Sequence, residues 1–344
     1  MNRRRFLQTS TTAAGLALGG SQLRAADALQ EAIEESTTHR LIERYRRGSG
    51  RITVKARDGK PIPNANVKLE QIRHDVLFGC NLFRFGRLAD PALEEAYRLR
   101  FASVFNHATL GFYWGSYEQR QGEPQYEYTD RALDWCRENN ITCKGHPLAW
   151  DHPASSPRWL PNDLAKVAEL SQSRVRDCVK RFKGRINIWD VVNEPTDLTR
   201  FKNPMNTWAT QLGAVPFTRL HLDVARHANP DATLLVNDYR TDPAFSKILR
   251  QLQRDGKPMF DAIGIQSHMH DAVWTPTRIR EVCDAYAMFH KPIHFTETTV
   301  VSGPRLGPGE NWGDSTPEGE ARQAEEVTRF YQHLFADRDV EAIT

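Results

Sequence analysis

Two acids, Glu194 and Glu297, each end a short apolar run: I-N-I-W-D-V-V-N-E-P over residues 186–195 and P-I-H-F-T-E over residues 292–297. Each run reads as a buried strand stopped by a carboxylate. Paired acids at the ends of separate strands suit the cleavage of a glycosidic bond. One protonates the leaving oxygen, and the other attacks the anomeric carbon or activates water. Either carboxylate alone would more simply be a surface or salt-bridged group. The matching placement is what points to chemistry.

Positioning two acids about a hundred residues apart on one rim requires a repeating scaffold, and the chain supplies one. Strand-like runs fall near 76–81, 103–108, 141–146, 186–192, 232–237, 261–266 and 292–297, with helical patterns between them. This alternation predicts an α/β fold, a (β/α)8 TIM barrel, with catalytic residues at the C-terminal ends of the strands. Seven strands are complete. An eighth starts at Val340, and the sequence stops at Thr344, so the expectation is a barrel lacking most of its eighth strand and its last helix. Ahead of the barrel domain, 76–344, the reading places a leader at 1–28, a charged helical linker at 29–50 and a small β-hairpin element at 51–75. The hairpin is read from the alternation at 51–56 and 65–72 around an Asp58-Gly59 turn.

The motifs F-G-C-N (78–81), G-H-P-L-A-W (145–150), W-D-V-V-N-E-P (189–195), N-D-Y (237–239), I-G-I-Q-S-H (263–268) and F-T-E (295–297) occur in that order. Together they resemble glycoside hydrolase family 10, mostly endo-1,4-β-xylanases, from about Phe78 to Thr344. The resemblance implies a retaining mechanism with Glu194 as general acid/base and Glu297 as nucleophile, their carboxyls roughly 5 to 5.5 Å apart. It further implies that Asn193 binds a sugar 2-hydroxyl and that His146 contacts the sugar beside the cleaved bond. Trp150, Tyr113 and Trp114 are expected along the substrate cleft, with His268 holding Glu297, and Gln266, Asn237 and Asp238 in support. The implied substrate is a xylan-like, β-1,4-linked plant or algal polysaccharide, taken without cofactor or metal by a monomer.

Some residues depart from the family pattern. Asp151 stands where a histidine is common, and Thr298-Thr299 replace a leucine and an aspartate. The run Thr109-Leu110-Gly111-Phe112-Tyr113-Trp114 shortens an acidic-amide stretch and puts Tyr113 in a lysine's place. A phenol can stack or donate one hydrogen bond but brings no ammonium charge, so the grip on the glycan is expected to differ.

Composition narrows the remaining options. Residues 1–28 hold Arg3-Arg4-Arg5, a weakly apolar run and Ala26-Asp27-Ala28, which reads as a twin-arginine export signal and implies a periplasmic or extracellular protein. That apolar run is too short for a permanent membrane anchor. Removing the leader's four Arg and one Asp leaves 42 basic and 42 acidic residues, so no basic surplus argues for nucleic acid. The five cysteines form no C-x-x-C pair, and buried free thiols are expected. Two rival functions remain. A metal-dependent barrel hydrolase would draw on His146, His152, His268, His270, His290 and His294, but these give no full ligand set. A non-catalytic glycan-binding protein on the same scaffold would be separated from an enzyme by turnover.

Overall fold

The computed structural model describes residues 33–270, 272–306 and 312–344. The expected export signal at 1–28 lies outside the described residues. The chain divides into two compact units. The first comprises residues up to Asn66 together with Arg329–Arg338, and the second comprises Val67–Thr328 with Asp339–Thr344.

In the first unit a helix runs over 33–46. Its Thr38 hydroxyl meets Nδ1 of His333 at 3.1 Å, and Arg46 Nε donates to the Phe335 carbonyl at 2.7 Å. The expected hairpin is reduced to a single turn. Ala56 N–H bonds Lys60 O and Ile62 N–H bonds Val54 O around Gly59, and Lys55 and Pro61 form one antiparallel bridge. Pro61 and Pro63 have no N–H to donate, so the ladder cannot propagate. The second arm, 65–72, is not a strand, and Leu69 and Ile72 are 75% and 93% exposed.

The second unit contains a closed barrel of eight parallel strands. They are β1 (Leu77–Asn81), β2 (His107–Gly111), β3 (Thr142–His146), β4 (Ile188–Asn193), β5 (Thr233–Asp238), β6 (Ala262–Ile265), β7 (Ile293–Phe295) and β8 (Val340–Ile343). The expectation of a mostly missing eighth strand is overturned. Four residues suffice, because β8 pairs with β1 through Leu77↔Ala342 and Phe78↔Ile343 and with β7 through His294↔Ala342 and Phe295↔Ile343. Closure removes both open sheet edges. The second strand also begins later than its apolar pattern suggests. Residues 103–104 end the helix Pro91–Val104, where the Phe105 N–H still bonds Phe101 O.

Helices Tyr126–Glu138, Leu164–Arg181, Ala214–Ala228 and Pro276–Ala287 lie among the connections between strands. Asp163 and Thr275 cap two of them with side-chain acceptors, which stops each helix at its boundary. Gly145 shows how tightly the outer layer packs. A Cβ there would lie 2.1 Å from the buried Trp189 ring, which also meets Phe112 edge-on at 5.0 Å. Gly145 therefore faces the helices, and its neighbours Lys144 and His146 enter the barrel. Among the described residues no helix is long and apolar enough to cross a membrane.

Candidate active site

Glu194 follows β4 and Glu297 stands two residues beyond β7, so parallel strands deliver both to the C-terminal rim. His146 ends β3, Asp238 ends β5 and Gln266 follows β6 on that same rim. Glu194 takes a left-handed backbone, φ 54°, as does Ser267, φ 51°. Such strain at two non-glycine positions marks where each strand is turned abruptly to aim its side chains. The Glu194 N–H is fixed by the Asn237 carbonyl at 2.8 Å.

One hydrogen-bond network joins the two acids. Thr296 Oγ1 donates to Asn237 Oδ1 at 2.6 Å, an orientation of the amide that its contact with the acceptor-only Glu297 carboxylate requires. Asn237 Nδ2 then donates to Glu297 Oε1 at 2.6 Å and to Asn193 Oδ1 at 2.7 Å. Asn193 Nδ2 donates to Glu194 Oε1 at 3.3 Å, and Gln266 Nε2 donates to the same oxygen at 3.1 Å. Gly264 makes room for this arrangement, because a Cβ there would fall 2.4 Å from Asn237 Oδ1.

Two histidines flank Glu297. His268 Nε2 lies 3.4 Å from Oε2, and His146 Nε2 lies 3.8 Å from Oε1. A short rim sheet pairing His268 with Thr299 holds the first ring, whose Nδ1 meets Thr299 Oγ1 at 3.0 Å. Asp190 holds the second, with His146 Nδ1 at 2.8 Å from Oδ2.

The environments push the acids apart. Burial raises the Glu194 carboxyl above its ordinary value, and the neighbouring Glu297 charge adds to the rise. Gln266, Arg200 and Trp150 act in the opposite sense without reversing it. Burial would also raise Glu297, but His146, His268 and Lys144 outweigh it, leaving that carboxyl below its ordinary value. Glu297 is 23% exposed and Glu194 10% exposed at the side chain, so neither is sealed from the cleft.

The other expected site residues are placed as follows. Trp150 stacks on His152 at 4.2 Å, and its indole N–H is near enough to favour an ionised Glu194 but completes no hydrogen bond. Tyr113 lies edge-on to Phe83 at 5.8 Å and His146 at 5.6 Å, with its phenol kept protonated first by burial and then by Glu297. Asp238 accepts from the Thr196 and Arg240 N–H groups and the Thr196 hydroxyl, bracing the turn after Glu194. Burial lifts its carboxyl to about 7. The expectation for Trp114 is not met. Its ring is 2% exposed, packs against Trp159 and donates Nε1–H to Glu118 at 2.8 Å, so it has no face for a sugar.

Sequence reasoning missed Lys144, Asp190, Thr296 and Arg200. Asp190 had a signal, an acid inside an apolar strand run, which is stable only if paired. Lys144 had one too, two residues before His146 and hence on the same strand face. Arg200 sits on a rim loop with Nη1 3.9 Å from Glu194 Oε2, and nothing local in the sequence marks it.

Residues 81–344 match Glycosyl hydrolase family 10. The chain belongs to this family. "Endo-1,4-beta-xylanase 5-like" of Arabidopsis thaliana is 28% identical over 281 residues, covering 77% of this chain and 47% of the relative. "Endo-1,4-beta-xylanase C" of Paenibacillus barcinonensis is 30% identical over 230 residues, 58% of this chain and 21% of the relative. The chain thus spans about half the length, or less, of these curated relatives. Among solved structures, xylanase 10B from Thermotoga petrophila RKU-1 in complex with xylobiose superposes with TM-score 0.64 at 23% identity, covering 78% of this chain and 81% of that one. At that identity the likeness establishes the barrel alone.

Proposed function

We propose that this chain is a retaining glycoside hydrolase that cleaves β-1,4-linked polysaccharide, xylan first, as an endo-1,4-β-xylanase. The observation that carries the reading is the opposed tuning of two networked carboxyls, Glu194 up and Glu297 down. Opposed tuning of that kind assigns acid and nucleophile in general. The xylanase names of the relatives support the choice of substrate.

In the first step a Glu297 oxygen attacks the anomeric carbon while the Glu194 proton passes to the glycosidic oxygen, so that the leaving sugar departs neutral. Glu194, now ionised, then takes a proton from water, whose oxygen displaces Glu297 from the same carbon. Two inversions give net retention. Asn237 and His268 hold Glu297 throughout, and His146 presents Nε2 to the sugar. In the same reading, residues 1–28 direct export of a monomeric enzyme that needs no cofactor, and cell fractionation of the tagged full chain tests the address.

The experiment for the chemistry follows the anomer first released from xylan, arabinoxylan and mixed-linkage glucan. The β anomer is expected, with turnover abolished in Glu297→Ala. An α product, or unaltered turnover in that variant, would overturn the assignment. Binding without turnover across the glycan panel would leave a glycan-binding scaffold instead.

A further inference from the structure

We propose that Lys144 is a positioning residue for the reacting carboxylate, acting on Glu297 through Asp190 and His146; the inference rests on the assignment of Glu297 as nucleophile. Lys144 is 1% exposed inside the barrel, where side chains are ordinarily branched and apolar. Its Nζ forms an ion pair at 2.8 Å with Asp190 Oδ2, the same oxygen that His146 Nδ1 meets at 2.8 Å. An ionised Asp190 has no proton to give, so the hydrogen in the second contact belongs to His146 Nδ1. That fixes the ring's orientation and turns Nε2 toward Glu297, 3.8 Å from Oε1.

The surrounding groups cannot do this in place of the lysine. The chamber also contains His107 on β2 and His294 on β7, both fully buried. Burial first, and then the Lys144 charge, depress His107 to about 3 and His294 to about 4. Both rings are therefore neutral at working pH. Neither His107 nitrogen completes a hydrogen bond, nor does Nδ1 of His294 or Oδ1 of Asp190. Among the described residues of this chamber, Lys144 alone brings an ammonium group. Without it Asp190 is a buried anion with one partner, and such an anion captures a proton or draws one onto that partner. Either event changes what the imidazole presents to Glu297.

The test compares Lys144→Met and Lys144→Arg in the full chain, reading kcat and KM on xylan together with the 15N NMR signature of the His146 ring. For Lys144→Met the expectation is a fall in kcat of about 10- to 100-fold, with KM little changed, as displacement of a positioned group produces. The 15N signature of the His146 ring should change with it. Lys144→Arg, which keeps a cation on Asp190, should retain that signature and most of kcat. A folded Lys144→Met protein with unchanged kcat or an unchanged His146 signature would overturn the proposal. Should that variant fail to fold, Lys144→Met/Asp190→Leu removes the buried pair together, and wild-type kcat in that protein would equally overturn it. Turnover surviving in Glu297→Ala would instead overturn the functional assignment, which separates the two failures.

Discussion

The side-chain amide of Asn237 donates to Oε1 of Glu297 at 2.6 Å and spends its second N–H on Asn193 at 2.7 Å, so one residue anchors both halves of the acid pair. A donor aimed at a reacting carboxylate matters most if it does not have to reorganise during the reaction. Asn237→Ala is therefore expected to lower kcat/KM by about 100-fold, within the range seen when one preorganised donor is removed. Gly264→Ala should mimic it without altering any group of the network, because the added Cβ must displace the Asn237 amide. Steady-state kinetics beside thermal melting check both, and activity should fall far more than stability.

The activity window follows from two opposed shifts. On the proposed mechanism turnover requires Glu297 ionised, so it is lost as pH falls through a value below the ordinary carboxylate range, the net result of burial overcome by His146, His268 and Lys144. It also requires Glu194 protonated, so it is lost as pH rises through a value lifted first by burial and then by the Glu297 charge. In Glu297→Gln that charge is gone and Glu194 should titrate at lower pH, visible by 13C NMR of the carboxyl. Arg200→Met should move the alkaline limb upward. Arg200 is half exposed, and solvent screening should keep the move small.

Much of this architecture was legible in the chain, for reasons of period and position. Seven strands announced themselves because parallel barrel strands are buried on both faces and read as apolar runs. Glu194 and Glu297 stood out because a carboxylate ending such a run needs a reason to be there. The eighth strand was underestimated because only four residues are needed once neighbours exist on both sides, and neighbours are invisible locally. The hairpin was overestimated in the same way, since alternation at 65–72 describes a strand only where a partner ladder is at hand. Trp114 misled because an indole beside the substrate run looks identical in sequence whether it turns to the cleft or to Trp159.

Buried histidines should make the fold sensitive to acid. His107 and His294 are depressed from the ordinary 6.5 to about 3 and about 4, chiefly by burial. Between those values and 6.5 the unfolded chain binds protons that the folded chain refuses, so stability is complete above 6.5 and drains away as pH falls toward 3. Asp238 works in the other direction. Its carboxyl, raised from 3.8 to about 7 by burial, holds a proton that the unfolded chain releases, so stability is withdrawn as pH climbs from 3.8 to about 7 and is level above that. His107→Leu should lessen the fall in Tm as pH drops from 6.5 toward 3, and Asp238→Asn should remove the opposing fall as pH climbs from 3.8 to about 7. Unchanged slopes in both variants would mean that the buried groups titrate normally.

Tyr113 gives the sharpest test of how the glycan is held. Its ring is wedged against Phe83, His146 and Trp150, while no hydrogen bond from its hydroxyl is formed among the described residues. Burial and the nearby Glu297, Asp190 and Glu194 keep that hydroxyl protonated, so it remains a donor beside the reacting centre. Tyr113→Phe preserves the ring contacts and removes only the donor. A neutral hydrogen bond is worth about 0.5 to 1.5 kcal/mol, so KM on polymer should rise about 2- to 10-fold with kcat nearly constant if the phenol grips a sugar equally in ground and transition states. A fall in kcat at constant KM would place the contact in the transition state instead. Wild-type values for both would reduce Tyr113 to a wall of the cleft, leaving its ring as the reason an aromatic occupies a position where the family usually has lysine.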